Sequence, residues 1–313
     1  MNTSIAIRTE HLSKAFGRGA QRVRAVDDLC LCVPSGLVYG FLGPNGAGKT
    51  TTIRMLLDLI RPTEGAAYVL EQDVRKHPQV LRRVGALVEH AAFYGYMSGR
   101  DNLDVLALTA DDHRPRRIPE LLEQVGLARH ARRRVKDYST GMKQRLGIAA
   151  ALLGDPELVI LDEPTNGLDP AGIHEMRGLI RGLAHVHGKT VFLSSHLLGE
   201  VEQICDRVAI VQQGKVIREG AVADLLSEGA QLRILAAPLD KAVKVLEADW
   251  QVTTDAMWLV VRVPSPDGPH IVRKLVSHDV DVYQVVVQKQ TLEDCFMAAT
   301  QAAPGSEMEV SRA

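Results

Sequence analysis

The sequence predicts an α/β protein: a core of mixed sheet and helices, a helical subdomain carried by that core, and a small, separate C-terminal α/β domain. Three observations predict it. Short apolar runs of strand length alternate with helical patterns between residues 37 and 219, as in a largely parallel sheet. Residues 97–153 read instead as mostly helical, broken at Pro115, Pro119 and Gly126. Beyond the linker-like Ser227-Glu228-Gly229-Ala230, strand and helix patterns start again on a smaller scale.

The elements follow in order. Residues 5–42 read as short strands with turns, ending in the apolar run Leu37-Val38-Tyr39-Gly40-Phe41-Leu42, a buried strand. A glycine-rich loop leads into a helical pattern over 50–60, stopped by Pro62 and Gly65. After the helical stretch, Leu158-Val159-Ile160-Leu161 is a short buried strand, and a helix over 170–187 ends at Gly188. Strand 190–194, helix 197–205 and strands 208–212 and 216–219 complete the core. The terminal domain reads strand 231–236, helix 239–248, strands within 251–263, helix 269–277, strand 280–288 and helix 291–301, an order that fits a ferredoxin-like arrangement. The expected boundaries are 1–228 for the large domain with its helical arm over 90–155, 229–301 for the small one, and a frayed polar tail over 302–313.

A chain of 313 residues, 46% hydrophobic and 24% charged, is long enough to bury a sizeable core. Its net charge of −1 offers no basic field, so nucleic acid is not an expected partner. Met1 is not followed by an apolar run, so no secretory segment is expected. No stretch approaches the ~18 apolar residues of a membrane span, so a role at a membrane would need something else to hold the chain there. Cys30, Cys32, Cys205 and Cys295 lack zinc-ligand spacing and read as buried small apolar side chains; Cys30 and Cys32 would share one face of a strand.

The chemistry concentrates in three places. Gly43-Pro44-Asn45-Gly46-Ala47-Gly48-Lys49-Thr50 matches G-x-x-x-x-G-K-S/T between a buried strand and a helix. Its glycines let the backbone wrap closely, so that N–H groups face phosphate oxygens at a helix N-terminus. Lys49 would reach the β- and γ-phosphates, the Thr50 hydroxyl would ligate Mg²⁺, and Thr51 completes the expected nucleotide-binding stretch. Leu158-Val159-Ile160-Leu161 ends in Asp162-Glu163, two carboxylates at the C-terminal end of a parallel strand, where α/β sheets bind ligands. Asp162 would belong to the Mg²⁺ shell and Glu163 would polarise the attacking water as general base. The third place is Ser139, an N-cap, with Gly141 two residues on, at the start of a helix that carries Leu146, Ala149, Leu152 and Leu153 at helical spacing, a second anion-binding helix start. Two phosphate sites with one set of carboxylates suggest that this helix serves a neighbour's ATP.

Over residues 5–220 these motifs resemble the ATP-binding cassette family, the nucleotide-binding subunits of ABC transporters. The family signature Leu-Ser-Gly-Gly-Gln reads here Tyr138-Ser139-Thr140-Gly141-Met142: Ser139 and Gly141 are kept, Thr140 and Met142 depart. The resemblance implies a P-loop NTPase core, ATP and Mg²⁺ as cofactors, and a homodimer that sandwiches ATP. It implies a D-loop in Asn166-Gly167-Leu168-Asp169, a switch histidine in His196 that touches the γ-phosphate, and an adenine-stacking ring in Phe16. Where the family has Gln at the end of strand 84–88, this chain has Glu89, a candidate Mg²⁺ or water ligand that adds a charge. Glu89, the run Gly141-Met142-Lys143-Gln144-Arg145 and the C-terminal Thr291-Leu292-Glu293-Asp294-Cys295-Phe296 resemble the bacitracin-resistance, lantibiotic-immunity and antibiotic-exporter branch.

That branch implies a separate polytopic membrane permease that inserts a short helix near Ala91, Ala92, Phe93, Tyr94, Tyr96 and Met97, with the chain peripheral on the cytoplasmic face of the cell membrane. Two alternatives stay open at this point: a soluble ATPase of the same family acting on a non-transport partner, and a regulatory nucleotide-binding module with little turnover.

Overall fold

The structure, a computed structural model, describes residues 4–89, 92–109, 117–228, 231–262, 268–288 and 290–302. Pro115, Ala91, Gly229, Ala230 and the expected tail from residue 303 lie outside the described residues. The chain divides into two compact units, Met1–Glu219 and Gly220–Ala313.

The first unit opens with two long strands, β1 (Ile5–Phe16) and β2 (Val23–Pro34), rather than the several short ones expected. Register shifts interrupt their pairing between Thr9 and Leu12 and between Leu12 and Lys14. Such bulges break the alternation that marks a strand in sequence, which is why the strands read as shorter. β3 (Val38–Leu42) is buried at every residue and leads into α1 (Lys49–Leu56). β4 (Glu64–Val69) and β5 (Gln72–Asp73) join the first two strands in an antiparallel sheet of order β2-β1-β4-β5.

The helical arm follows β6 (Val84–Leu87) and contains α2 (Gly99–Thr109), α3 (Arg117–Gln124) and α4 (Thr140–Ala151), packed against one another. The chain then returns through β7 (Leu158–Asp162), α5 (Pro170–His185), β8 (Thr190–Ser195), the short α6 (Leu198–Val201), β9 (Arg207–Gln212) and β10 (Lys215–Ala221). The six-stranded sheet runs β10-β9-β3-β8-β7-β6, with β9, β3, β8, β7 and β6 parallel to one another. The expected mixed sheet is thus two sheets facing one core. Ile7, Leu12, Leu29, Leu31 and Val33 of the antiparallel sheet pack with Tyr39, Phe41, Ile160 and Phe192 of the parallel one. Phe192 sits centrally, its ring 6.0 Å from Tyr39 and 5.5 Å from Phe41. Each such side chain contributes about 1.5–3 kcal/mol by leaving water. The Tyr39 hydroxyl donates to Glu219 at 2.6 Å, and burial first, then that carboxylate, raises its pKa.

The alternation along β2 settles the cysteines. Leu29, Leu31 and Val33 point inward, so Cys30 and Cys32, on one face as expected, face solvent rather than the core. Cys205 and Cys295 are buried.

In the second unit α7 (Val222–Glu228) packs with α10 (Leu292–Ala302), so the division falls before α7 and not in the 227–230 segment. Between them lie β11 (Gln231–Ala237), α8 (Leu239–Leu246), β12 (Gln251–Asp255), β13 (Trp258–Arg262), α9 (Gly268–Ser277) and β14 (Asp281–Gln288). The antiparallel order β12-β13-β11-β14, with a helix after the first and third strands, is ferredoxin-like. Leu232, Ile234, Leu246, Leu259, Ile271 and Leu275 form its core. Among the described residues no helix is long and apolar enough to cross a membrane.

Candidate functional site

The glycine-rich loop hangs between β3 and α1 and is fixed from behind. The Gly43 amide donates to the Ser195 carbonyl at 3.2 Å, and the Gly214 amide donates to the Ala47 carbonyl at 3.0 Å. Gly48 turns the chain into α1 with φ 100°, and a Cβ there would lie 2.3 Å from the Ala25 carbonyl oxygen, so only glycine fits. Pro44, Asn45 and Gly46 form the exposed outer arc of the loop, while Ala47 is buried beneath it. Among the described residues, the amides of Gly46, Gly48, Lys49, Thr50 and Thr51 meet no backbone acceptor. These are the orphan donors of a helix start, arranged around one concavity and carrying the positive end of the helix dipole.

Lys49 is only 6% exposed and curls over this loop. Its Nζ donates to the Gly43 and Pro44 carbonyls at 2.8 and 3.2 Å and lies 3.2 Å from Glu163 Oε1. The buried ammonium is therefore compensated by partners that phosphate oxygens can replace.

Asp162 ends β7 beside Ser194 of β8, its parallel register partner. Its Oδ2 accepts from Thr50 Oγ1 at 2.8 Å and its Oδ1 accepts from Ser194 Oγ. The same serine oxygen accepts from the Glu163 amide at 2.9 Å. Glu163 takes a left-handed turn, φ 50°, which swings its carboxylate back across the strand ends. Its Oε2 is 2.8 Å from His196 Nδ1. Lys49, Thr50, Asp162, Glu163 and His196 thus form one connected cluster at the C-terminal end of the parallel sheet. Ser194 is the member that reads in the sequence only as a strand residue. Its signal was present: Ser194 and Ser195 are two hydroxyls closing an otherwise apolar strand immediately before His196.

The cluster fits a hard divalent cation. Thr50 and Asp162 present a hydroxyl and a carboxylate to each other at contact distance, all-oxygen donors of the kind Mg²⁺ takes while it keeps several waters. Glu89 does not join them. It follows β6 at the adjacent strand end with φ 61°, yet its carboxylate pairs with Arg54 on α1 and is 61% exposed. A long basic side chain one turn beyond Thr50 lies within its reach, and that pairing could not be read from either residue alone.

Ser139, Gly141 and Asp169 lie elsewhere. Ser139 caps α4 by accepting from the Met142 amide at 3.3 Å, and Asp169 caps α5 by accepting from the Gly172 amide at 3.0 Å. All three line a separate cleft of about 380 Å³ with Arg145 and Glu175. Among the described residues, no hydrogen bond or ion pair joins them to the Gly43–Thr50 loop. Phe16 ends β1 as an exposed residue, and Lys14 Nζ sits 5.1 Å from its ring centroid.

A phosphate loop closed by a helix, with an acidic strand end and a histidine against it, defines a nucleotide-hydrolysing P-loop protein. Comparison with known proteins makes the class specific. The ABC transporter family profile matches residues 26–166. The bacitracin transport ATP-binding protein BcrA of Bacillus licheniformis is 42% identical over 94% of this chain and 97% of its own length. The daunorubicin/doxorubicin resistance ATP-binding protein DrrA of Streptomyces peucetius is 37% identical over 96% of this chain and 94% of its own. A solved ATP-binding subunit of an ABC transporter superposes with a TM-score of 0.61 at 30% identity, over 70% of this chain and 91% of that one. The chain belongs to the ABC transporter family as an ATP-binding subunit, an ATPase that works with Mg²⁺.

Proposed function

We propose that the chain powers an exporter, through two copies that close head to tail over two ATP molecules. The observation that carries this reading is the division of the phosphate-binding groups: Lys49, Asp162, Glu163 and His196 form one cluster, while Ser139 and Gly141 face another cleft. A second copy supplies what each cluster lacks. The loop amides and Lys49 hold the β- and γ-phosphates, Phe16 stacks on adenine, and Ser139 and Gly141 of the facing copy cap the γ-phosphate. Mg²⁺, held by Thr50 and Asp162, would neutralise charge on the phosphate oxygens. As ATP arrives, Lys49 exchanges Glu163 for phosphate, which frees the Glu163 carboxylate to accept a proton from the attacking water. His196, on the other Glu163 oxygen, orients that carboxylate and reaches the γ-phosphate. Asp169, capping α5 beside the Ser139 cleft, lies where the facing copy would couple the two sites.

The membrane partner is a polytopic permease, and the chain sits peripherally on the cytoplasmic face of the cell membrane. A cleft of about 1,110 Å³ runs between β6 and α4, lined by Val84, Leu87, Ala92, Phe93, Leu106 and Leu153. A trough of that size, with these apolar side chains beside the polar Gln79 and Arg82, suits one short amphipathic helix of the permease. The bacitracin and daunorubicin/doxorubicin names of the two relatives point to a peptide or small-molecule antibiotic as cargo. The test is protection. Cells expressing the chain together with its polytopic permease partner should survive a higher dose of such an antibiotic, and Glu163→Gln should abolish the gain. Protection that persists in Glu163→Gln contradicts transport driven from this site.

A further inference from the structure

We propose that His11, Asp28 and Cys30 form a Zn²⁺ site on the β1–β2 hairpin, apart from the nucleotide cluster. The three residues come from two strands and converge because two successive bulges, one in each strand, fall between Thr9 and Lys14. Thr9 pairs with Leu31 and Leu12 with Leu29, so β1 spends an extra residue opposite Cys30. Leu12 pairs with Leu29 and Lys14 with Val26, so β2 then spends an extra residue opposite Ser13. The two residues thrown into the left-handed region are His11, at φ 48°, and Asp28, at φ 55°. Non-glycine residues are uncommon there, and such strain clusters at functional positions. The Asp28 amide donates to Ser13 Oγ at 2.9 Å, which pins the second bulge.

The bulges aim three ligand atoms at one point. His11 Nδ1 lies 2.7 Å from Asp28 Oδ1 and 3.8 Å from Cys30 Sγ, and all three ligand atoms fall within 4.8 Å of one another. Carboxylate and thiol address the same ring nitrogen. A nucleophile–base–acid relay needs them on opposite nitrogens, so the arrangement fits a shared cation and not covalent catalysis. Around tetrahedral zinc, bond lengths of about 2.3 Å to sulfur and about 2.0–2.2 Å to nitrogen and oxygen place nitrogen and sulfur about 3.6 Å apart. The Cys30–His11 spacing already matches, and the His11–Asp28 contact has to open by well under 1 Å. A thiolate, an imidazole and a carboxylate select a borderline ion such as Zn²⁺ over Mg²⁺ or Ca²⁺. Three protein ligands leave a fourth position for water or an added donor. The His11 and Asp28 side chains are 78% and 66% exposed, so an ion can enter directly.

The test uses the full-length, nucleotide-free protein, reduced and stripped with chelator, in excess Mg²⁺ to occupy oxygen-ligand sites. Zn²⁺ is titrated against a chromophoric chelator, and Co²⁺ is substituted to read the thiolate-to-metal charge-transfer band. The expected result is a single ion per chain with that band. Losing even an outer-shell partner costs about 10–100-fold in metal affinity, so Cys30→Ser and His11→Ala should each weaken binding by at least about tenfold and erase the band. Cys32→Ser, an exposed thiol on the same strand face, should change neither. Zn²⁺ should also raise the melting temperature of the wild type and not that of Cys30→Ser, whose circular dichroism should match the wild type. No band in the wild type, a band surviving in Cys30→Ser, or one lost in Cys32→Ser overturns the site.

Discussion

At the scale of single residues, the account assigns different losses to neighbouring side chains. Glu163→Gln keeps the shape and the contact to His196 but removes the carboxylate proposed to accept the proton, so turnover should fall by about 10²–10⁴-fold while ATP binding persists. Phosphate-release assays beside a fluorescent-nucleotide titration separate the two. Lys49→Ala removes the one buried ammonium of the loop, and nucleotide affinity itself should drop in the same titration. Gly48→Ala puts a methyl against the Ala25 carbonyl in a backbone region that alanine avoids, so the loop cannot keep its shape. That variant should lose nucleotide binding although no charge has changed. Ser194 and the Arg54–Glu89 pair mark the limit of legibility at this scale. Lys49, Thr50, Asp162 and Glu163 stand in contiguous motifs whose spacing is the chemistry, so they were readable. Ser194 and Arg54 meet their partners only across strands or from helix to strand end, and no sequence interval encodes those meetings.

Elements carry the next layer. β3, β7 and β8 are buried at every position, and their apolar runs announced them in the sequence. β1 and β2 were harder to read because bulges break their period; two of those bulges gather His11 and Asp28, while the regular alternation of β2 turns Cys30 outward. The junction of β6 and β7 carries a titratable tie: Arg83 bonds Glu157 through two contacts, the longer 2.7 Å, and this hydrogen bond first, then its charge, holds the Glu157 carboxyl below the usual carboxylate range. A depressed folded-state pKa contributes stability above the unfolded pKa, and that contribution disappears as pH falls through the folded value. With both side chains about half exposed, solvent screening limits the pair to about 1 kcal/mol or less. Thermal melts should therefore show Glu157→Gln below wild type at pH ~7, with the gap closing below about pH 4. A gap that stays constant with pH would assign the loss to packing instead.

The whole molecule joins two units of different character. The terminal unit's helix and strand order was legible because α8 and α9 show strong amphipathic periods and β11 and β13 alternate cleanly. Its starting point was not, because α7 follows the last strand of the first unit without a break and its partner, α10, lies some seventy residues downstream, as the Cys295 thiol on the Leu225 carbonyl illustrates. The larger consequence concerns the first unit, whose proposed phosphate-binding groups face two clefts. ATP then acts as glue between copies, and its hydrolysis lets them part. Sedimentation of Glu163→Gln with and without Mg²⁺-ATP tests this most directly. The account predicts monomers without nucleotide and ATP-bound dimers with it, the dimers lost when Gly141→Asp is added. A Glu163→Gln protein that holds Mg²⁺-ATP with undiminished affinity and sediments as a monomer at every concentration would contradict it.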